Sequence, residues 1–139
     1  MKKLLETIEN HFRFAVEKNV EGILDSYSKS EDLLVFVEGP RWATLGYEAV
    51  AKGWRDYCIS SINLKRCEWV EVLKGQENGD IGFLAGIVDV EAEINGELRK
   101  IRFRGTFVLK NEGDRWRIVH EHFSQPASDP YGVGDWLKE

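Results

Sequence analysis

Residues 83–107, FLAGIVDVEAEINGELRKIRFRGTF, decide the fold. Asn95-Gly96 is the two-residue signature of a mirror-image type I hairpin, whose loop residues both take positive φ. Such a loop pairs Ile94 with Glu97 and, counting back, Val88 with Phe103, Gly86 with Gly105 and Leu84 with Phe107. Asp89 then meets Arg102 and Ile87 meets Arg104, and opposite charges at one rung support the register. Directly opposed residues share a face of a sheet. Leu84, Gly86, Val88, Phe103, Gly105 and Phe107 therefore form one apolar face. Phe83, Ala85, Ile87, Asp89, Arg102, Arg104 and Thr106 form the other.

Working outward, the second half of the chain reads as four strands, about 62–74, 80–94, 97–110 and 114–124, joined by tight turns. The last strand contains RWRIVHEHFS, Arg115 to Ser124, with two histidines flanking a glutamate. Gly113 sets its phase. A three-residue loop with glycine last, Asn111-Glu112-Gly113, pairs Lys110 with Asp114. Arg117, Val119, Glu121 and Phe123 then join the Phe103/Phe107 face. Trp116, Ile118, His120 and His122 join the other, with His120 opposite Arg104 and His122 opposite Arg102. A four-residue loop would invert every one of these assignments.

The first half is helical. Leu4, Leu5, Ile8, Phe12, Ala15 and Val16 recur at three- and four-residue spacing, which predicts an amphipathic helix to about Lys18. Asn19 caps a short second helix carrying Val20, Ile23, Leu24 and Tyr27. LLVFVEG is a strand, Pro40 keeps PRWATLG in a loop, and the helical period returns from Tyr47 through Val50, Ala51, Trp54, Tyr57 and Cys58. Helices followed by an antiparallel meander define an α+β fold in one domain, 1–139, whose last stretch, 125–139, reads as an irregular tail.

Composition bounds the function. A 42% hydrophobic and 31% charged chain is globular rather than disordered. A formal net charge of −5 argues against nucleic acid or an anionic membrane as partner. Cys58 and Cys67 match no zinc spacing and read as free thiols of a reduced cytoplasm. The opening MKKLLETIENHF acquires Glu6 and Glu9 before any long apolar run, so it reads as a helix rather than a targeting segment. His120 and His122 share a side of their strand, but two guanidinium groups opposite and no third ligand disfavour a metal. With Phe83, Ile87, Val108, Trp116 and Ile118 they make a patch that a monomer rarely leaves wet.

The ending GTFVLKNEGDRWRIVHEHFS, Gly105 to Ser124, with Pro126 soon after, resembles the SnoaL-like proteins. These are a branch of the nuclear transport factor 2-like and ketosteroid isomerase-like superfamily. The helix start from Gly46 to Trp54 fits the same family more loosely, and the ending is also similar to the association domain of calmodulin-dependent kinase II. The resemblance implies a cystatin-like cone in which a strongly curved sheet wraps the N-terminal helices around a pocket. It further implies that the outer sheet face pairs with a second copy in a homodimer, and the register puts Phe83, Ile87, Arg102, Arg104, Trp116, Ile118, His120 and His122 at that interface; a non-enzymatic assembly module is the alternative to a ligand-binding pocket. Isomerase-like members use a pocket carboxylate as base and no cofactor, whereas kinase association domains carry pocket arginines. The positions matching those arginines are Val88, Phe107 and Phe123, so the resemblance implies a small hydrophobic ligand here.

On the expected pocket face, Leu84, Val88, Phe103, Phe107, Val119 and Phe123 surround one carboxylate, Glu121, and Gly86 and Gly105 leave room. Apolar surroundings disfavour its charged form and move it toward proton-transfer range. Tyr27, Trp54 and Tyr57 cover the ligand or donate to a developing oxyanion, and Trp42 forms the rim with Arg41 or Glu38 nearby. The structural alternative is an ion pair of Glu121 with Arg41 or Arg117.

Overall fold

The computed structural model describes residues 1–37 and 39–135. Helix α1 (Lys2–Glu17) buries Leu4, Ile8, His11, Phe12 and Ala15 along one stripe. It stops where Lys18 turns left-handed, φ 54°, and donates its N–H to the Ala15 carbonyl. The Asn19 side chain then accepts from the Gly22 N–H at 3.0 Å, opening α2 (Val20–Asp25) by the expected cap. The remaining elements are β1 (Leu34–Phe36), β2 (Thr44–Leu45), α3 (Tyr47–Ile59), β3 (Asn63–Asn78), β4 (Ile81–Ile94), β5 (Glu97–Asn111) and β6 (Trp116–Ser124). Residues 125–135 form neither helix nor strand. The rest of the expected tail, 136–139, and Glu38 lie outside the described residues.

The strands form one curved α+β sheet in the order β2-β1-β6-β5-β4-β3. All neighbours are antiparallel except β1 and β6, which run parallel, so the sheet is mixed rather than wholly antiparallel. The β4–β5 hairpin takes the expected register from Ile94–Glu97 to Ile81–Lys110, with Asn95 and Gly96 at φ 53° and 81°. Arg102 grips Asp89 through two hydrogen bonds of 2.7 and 2.9 Å. Leu84, Val88, Phe103 and Phe107 pack beneath α1, each at most 4% exposed.

The start of β6 departs from expectation. The Glu112 N–H donates to the Arg115 carbonyl at 3.0 Å, closing a four-residue turn with Gly113 at φ 99°. Lys110 consequently faces Arg117, and the first rungs are inverted. Trp116 and Ile118, expected outside, are 8% and 0% exposed. The backbone of Ser26–Ser28 explains the choice: Ile118 donates to the Ser26 carbonyl at 2.8 Å and accepts from the Ser28 N–H at 2.9 Å. A bulge at Val119 then restores the other phase. Phe107 faces Glu121 and Gly105 faces Phe123 on the inner side. His120 and His122 turn outward, but opposite Val108 and Thr106 rather than Arg104 and Arg102.

Three bulges, at Lys65, Val70 and Leu73, bend β3 across β4. Gly86 sits beneath this bend. A Cβ there would be driven into the Glu71 carbonyl oxygen and would stand 3.0 Å from the Val72 Cα. Neither Gly86 nor Gly105, whose Cβ would meet the Phe123 ring at 3.2 Å, leaves room for a ligand. Gly86→Ala is expected to cost about 1–3 kcal/mol, the usual penalty of overpacking. Thermal melts against Gly53→Ala, where a Cβ meets nothing within 4 Å, check this; equal melting temperatures would show that β3 yields at its bend.

Candidate functional site

Tyr27 follows α2, and its parallel bridge to Ile118 pins its backbone against β6. Glu121 lies three residues further along that strand, on the same side once the Val119 bulge has been passed. The Tyr27 hydroxyl donates to Glu121 Oε1 at 2.6 Å. From α3, the Trp54 Nε1–H donates to the Tyr27 oxygen at 3.0 Å. From α1, His11 Nε2 lies 3.4 Å from the same oxygen. Three separate elements, β6, α3 and α1, thus converge on one phenol.

The proton inventory is determined by these contacts. A phenol has one proton, and here it goes to Glu121. His11 can therefore meet Tyr27 only as an Nε2–H donor, which leaves Nδ1 as a bare acceptor. That atom is buried with no partner among the described residues. Burial lowers the His11 pKa to about 4, so its ring is neutral. Burial, and then the Glu121 charge, hold the Tyr27 phenol well above its ordinary range, so it remains a donor. Cys67 is pushed up to about 12, by burial first and then by Glu121 and Glu68, and stays a thiol.

Beside this array lies an open pocket of about 310 Å³, lined by Tyr27, Val35, Val37, Arg41, Thr44, Val50, Gly53, Trp54, Tyr57 and Glu121. It occupies the space between α3 and the β2-β1-β6 side of the sheet. Of the residues expected around a ligand, Tyr27, Trp54, Tyr57 and Glu121 are brought together here. Leu84, Val88, Phe103 and Phe107 belong instead to the filled core, where Phe12 and Trp69 pack on Phe107 at 5.8 and 6.0 Å. Phe123 packs on Phe103 and Phe107 at 5.8 and 5.5 Å, and Val119 is taken up by the bulge. Trp42, expected at the rim, is 96% exposed and does not line the pocket. Arg117 is held by Asp25, Glu112 and Asp114, so it is not the ion-pair partner considered for Glu121.

Sequence reasoning missed His11, Val35, Val37, Thr44, Val50 and Gly53. His11 was open to detection, because it falls on the same helical stripe as Leu4, Ile8 and Ala15. On the outer face, Phe83, Ile87 and Val108 are half-buried and Arg102 and Arg104 are exposed. His120 Nδ1 lies 2.8 Å from the Leu34 carbonyl, and the Phe36 ring meets His120 and His122 edge-on at 5.5 and 5.2 Å. Among the described residues no group of three or more His, Cys, Asp or Glu could hold a metal, and no helix is long and apolar enough to cross a membrane.

Solved structures place this architecture among the nuclear transport factor 2-like folds. A nuclear transport factor 2-like superfamily protein from Salmonella enterica serovar Typhimurium aligns with TM-score 0.77 and 18% identity, over 96% of both chains. A Xanthomonas campestris chain described as a candidate calcium/calmodulin-dependent protein kinase II association domain aligns with TM-score 0.73 and 14% identity, over 88% of this chain and 84% of that one. A ketosteroid isomerase-like protein from Erwinia carotovora atroseptica aligns with TM-score 0.68 and 14% identity, over 87% and 93%. Comparison with curated proteins gave no match. A family model described as the SnoaL-like domain matches residues 4–128, and the chain belongs to that family.

Proposed function

We propose that this protein binds a small, largely apolar molecule in the pocket beneath α3 and that Glu121 moves a proton on it without a cofactor. The reaction class is isomerisation, dehydration or cyclisation. The observation that carries this reading is the Tyr27–Glu121 contact on the pocket wall: a carboxylate only 4% exposed, oriented by a phenol, beside an apolar cavity. Glu121 Oε1 accepts from Tyr27, which holds the carboxylate on the pocket wall. Glu121 takes a proton from carbon beside a carbonyl and delivers it to a second atom of the same molecule. Trp54 and Tyr57 cover the ligand. Cytoplasmic surroundings keep Cys58 and Cys67 reduced. Native mass spectrometry of the purified protein tests the reading, with a bound small molecule released by Trp54→Ala as the expected result. A ligand retained unchanged in that variant would place the binding site elsewhere.

A second reading is compatible with the first and concerns the outer face. Phe36, Phe83, Ile87 and Val108 flank His120 and His122 there, and a second copy of the chain covers this face in a homodimer. Ile87→Asp is expected to turn the dimer into a monomer in sedimentation velocity at micromolar concentration. A wild-type monomer under those conditions would dismiss this reading. Ile118 does not serve as a site for that test, since it lies in the core.

A further inference from the structure

The interior donors of the pocket are already engaged within the protein. Tyr27 donates to Glu121, Trp54 donates to Tyr27, and Tyr57 donates to the Ala15 carbonyl at 2.9 Å while accepting from the Leu64 N–H at 3.1 Å. Two side-chain donors remain in the lining: the Arg41 guanidinium, in the connection before β2, and the Thr44 hydroxyl, at the start of β2. Arg41 makes no ion pair or hydrogen bond among the described residues. Glu121, on β6, offers only acceptors when ionised.

The sheet sets the distance between these poles. Val35 pairs with Thr44 on one side and with Glu121 on the other, so the three stand on one rung of β2, β1 and β6. Two strand spacings separate Thr44 from Glu121, roughly 10 Å, with the Val35 side chain between them. With a hydrogen bond of about 3 Å at each pole, the polar ends of a bound molecule stand between about 4 Å apart, where both bonds lie along the rung, and about 10 Å apart, where both rise from the sheet. The lining is therefore polarised, with donors at the β2 end, an apolar middle of Val35, Val50 and Trp54, and an acceptor at the β6 end.

Building on the pocket reading above, we infer that the ligand is an amphipathic carboxylic acid. Its anionic head lies on Arg41 and Thr44, its apolar body on Val35 and Trp54, and a hydroxyl or acidic C–H points at Glu121. This assignment refines the expectation of a purely hydrophobic ligand. Core positions Val88, Phe107 and Phe123 carry no charge, but the cation is supplied from the β1–β2 connection instead.

Three probes of matched shape test it on the full chain: 4-hydroxyphenylacetate, its neutral amide, and phenylacetate, with dissociation constants measured by titration in low salt. The acid is expected to bind at least about five-fold more tightly than the amide, in keeping with a charge-assisted hydrogen bond on an accessible cation. That preference is expected to vanish in Arg41→Gln and to shrink as salt rises. The hydroxyl preference over phenylacetate is expected to persist in Arg41→Gln, because it is read at Glu121. Arg41 is exposed, and a melt of the variant confirms that the fold is kept. Equal binding of acid and amide, unaltered by Arg41→Gln, would overturn the acidic head while leaving the pocket reading in place. No binding of any probe, with Trp54 and Tyr57 resonances unperturbed, would overturn both.

Discussion

Glu121→Gln is expected to slow proton transfer by about 10²–10⁴-fold, the range attributed to a positioned general base. The substitution is chosen because it changes little else. Tyr27 still donates to an amide oxygen in place of Oε1, and Trp54 still donates to Tyr27, so the array around the phenol survives. What is lost is the acceptor that can take up a proton. Melting temperature should therefore stay within a few degrees of wild type, whereas Glu121→Ala, which strands a buried phenol, should cost about 1–3 kcal/mol. The readout is deuterium entering the bound ligand from D₂O at carbon beside a carbonyl, followed by NMR. Wild-type exchange in the Gln variant would remove Glu121 from the chemistry.

The second large effect is on stability in acid, and it comes from His11. Its pKa of about 4 in the folded chain lies below the ordinary 6.5, because burial disfavours the charged ring. Above pH 6.5 the ring is neutral in both folded and unfolded chains, and no stability is lost. Between about 6.5 and 4 the unfolded chain takes up a proton that the folded chain refuses. Stability therefore falls as pH drops through this window, by on the order of 3 kcal/mol once pH 4 is reached. The groups facing His11 do not offset this: Tyr27 stays protonated, Trp54 does not titrate, and Phe12 and Phe107 are apolar. Urea unfolding at several pH values, for wild type and His11→Leu, isolates the effect. Asp89 and Asp114, whose pKa values are lowered by their arginine partners, lose stability in both proteins and cancel in the difference. Parallel curves for the two proteins down to pH 4 would contradict this account.

Much of the architecture was legible because it rests on local chemistry. Asn95-Gly96 dictates its hairpin through the positive φ both residues adopt, and fourteen rungs follow from it without a slip. Asn19 marks the start of α2 by the same kind of local rule. The start of β6 was not legible, because a tertiary pairing decided it. Gly113 has the expected positive φ but serves a four-residue turn, since Ile118 must present its backbone to Ser26 and Ser28. The bulge at Val119 then switches the side-chain phase back, so Glu121 ends on the inner side although the loop is one residue longer than expected. Nothing local to Val119 announces a bulge. The pocket lies away from the glycine-marked face for a related reason: whether a glycine gap stays empty depends on which ring leans into it. Here Trp69 and Phe123 do, and the space opens instead under α3.

One border of the sheet constrains how copies of this protein can accumulate. A sixteen-residue outermost strand, if flat, would act as a template onto which further chains zip edge to edge. Three kinks interrupt its hydrogen-bonding rhythm, and Lys65, Arg66, Glu68, Glu71 and Lys74 stud its length with charge. An incoming strand loses register at each kink and must desolvate those ions. Fibrillar growth along that margin is thereby disfavoured.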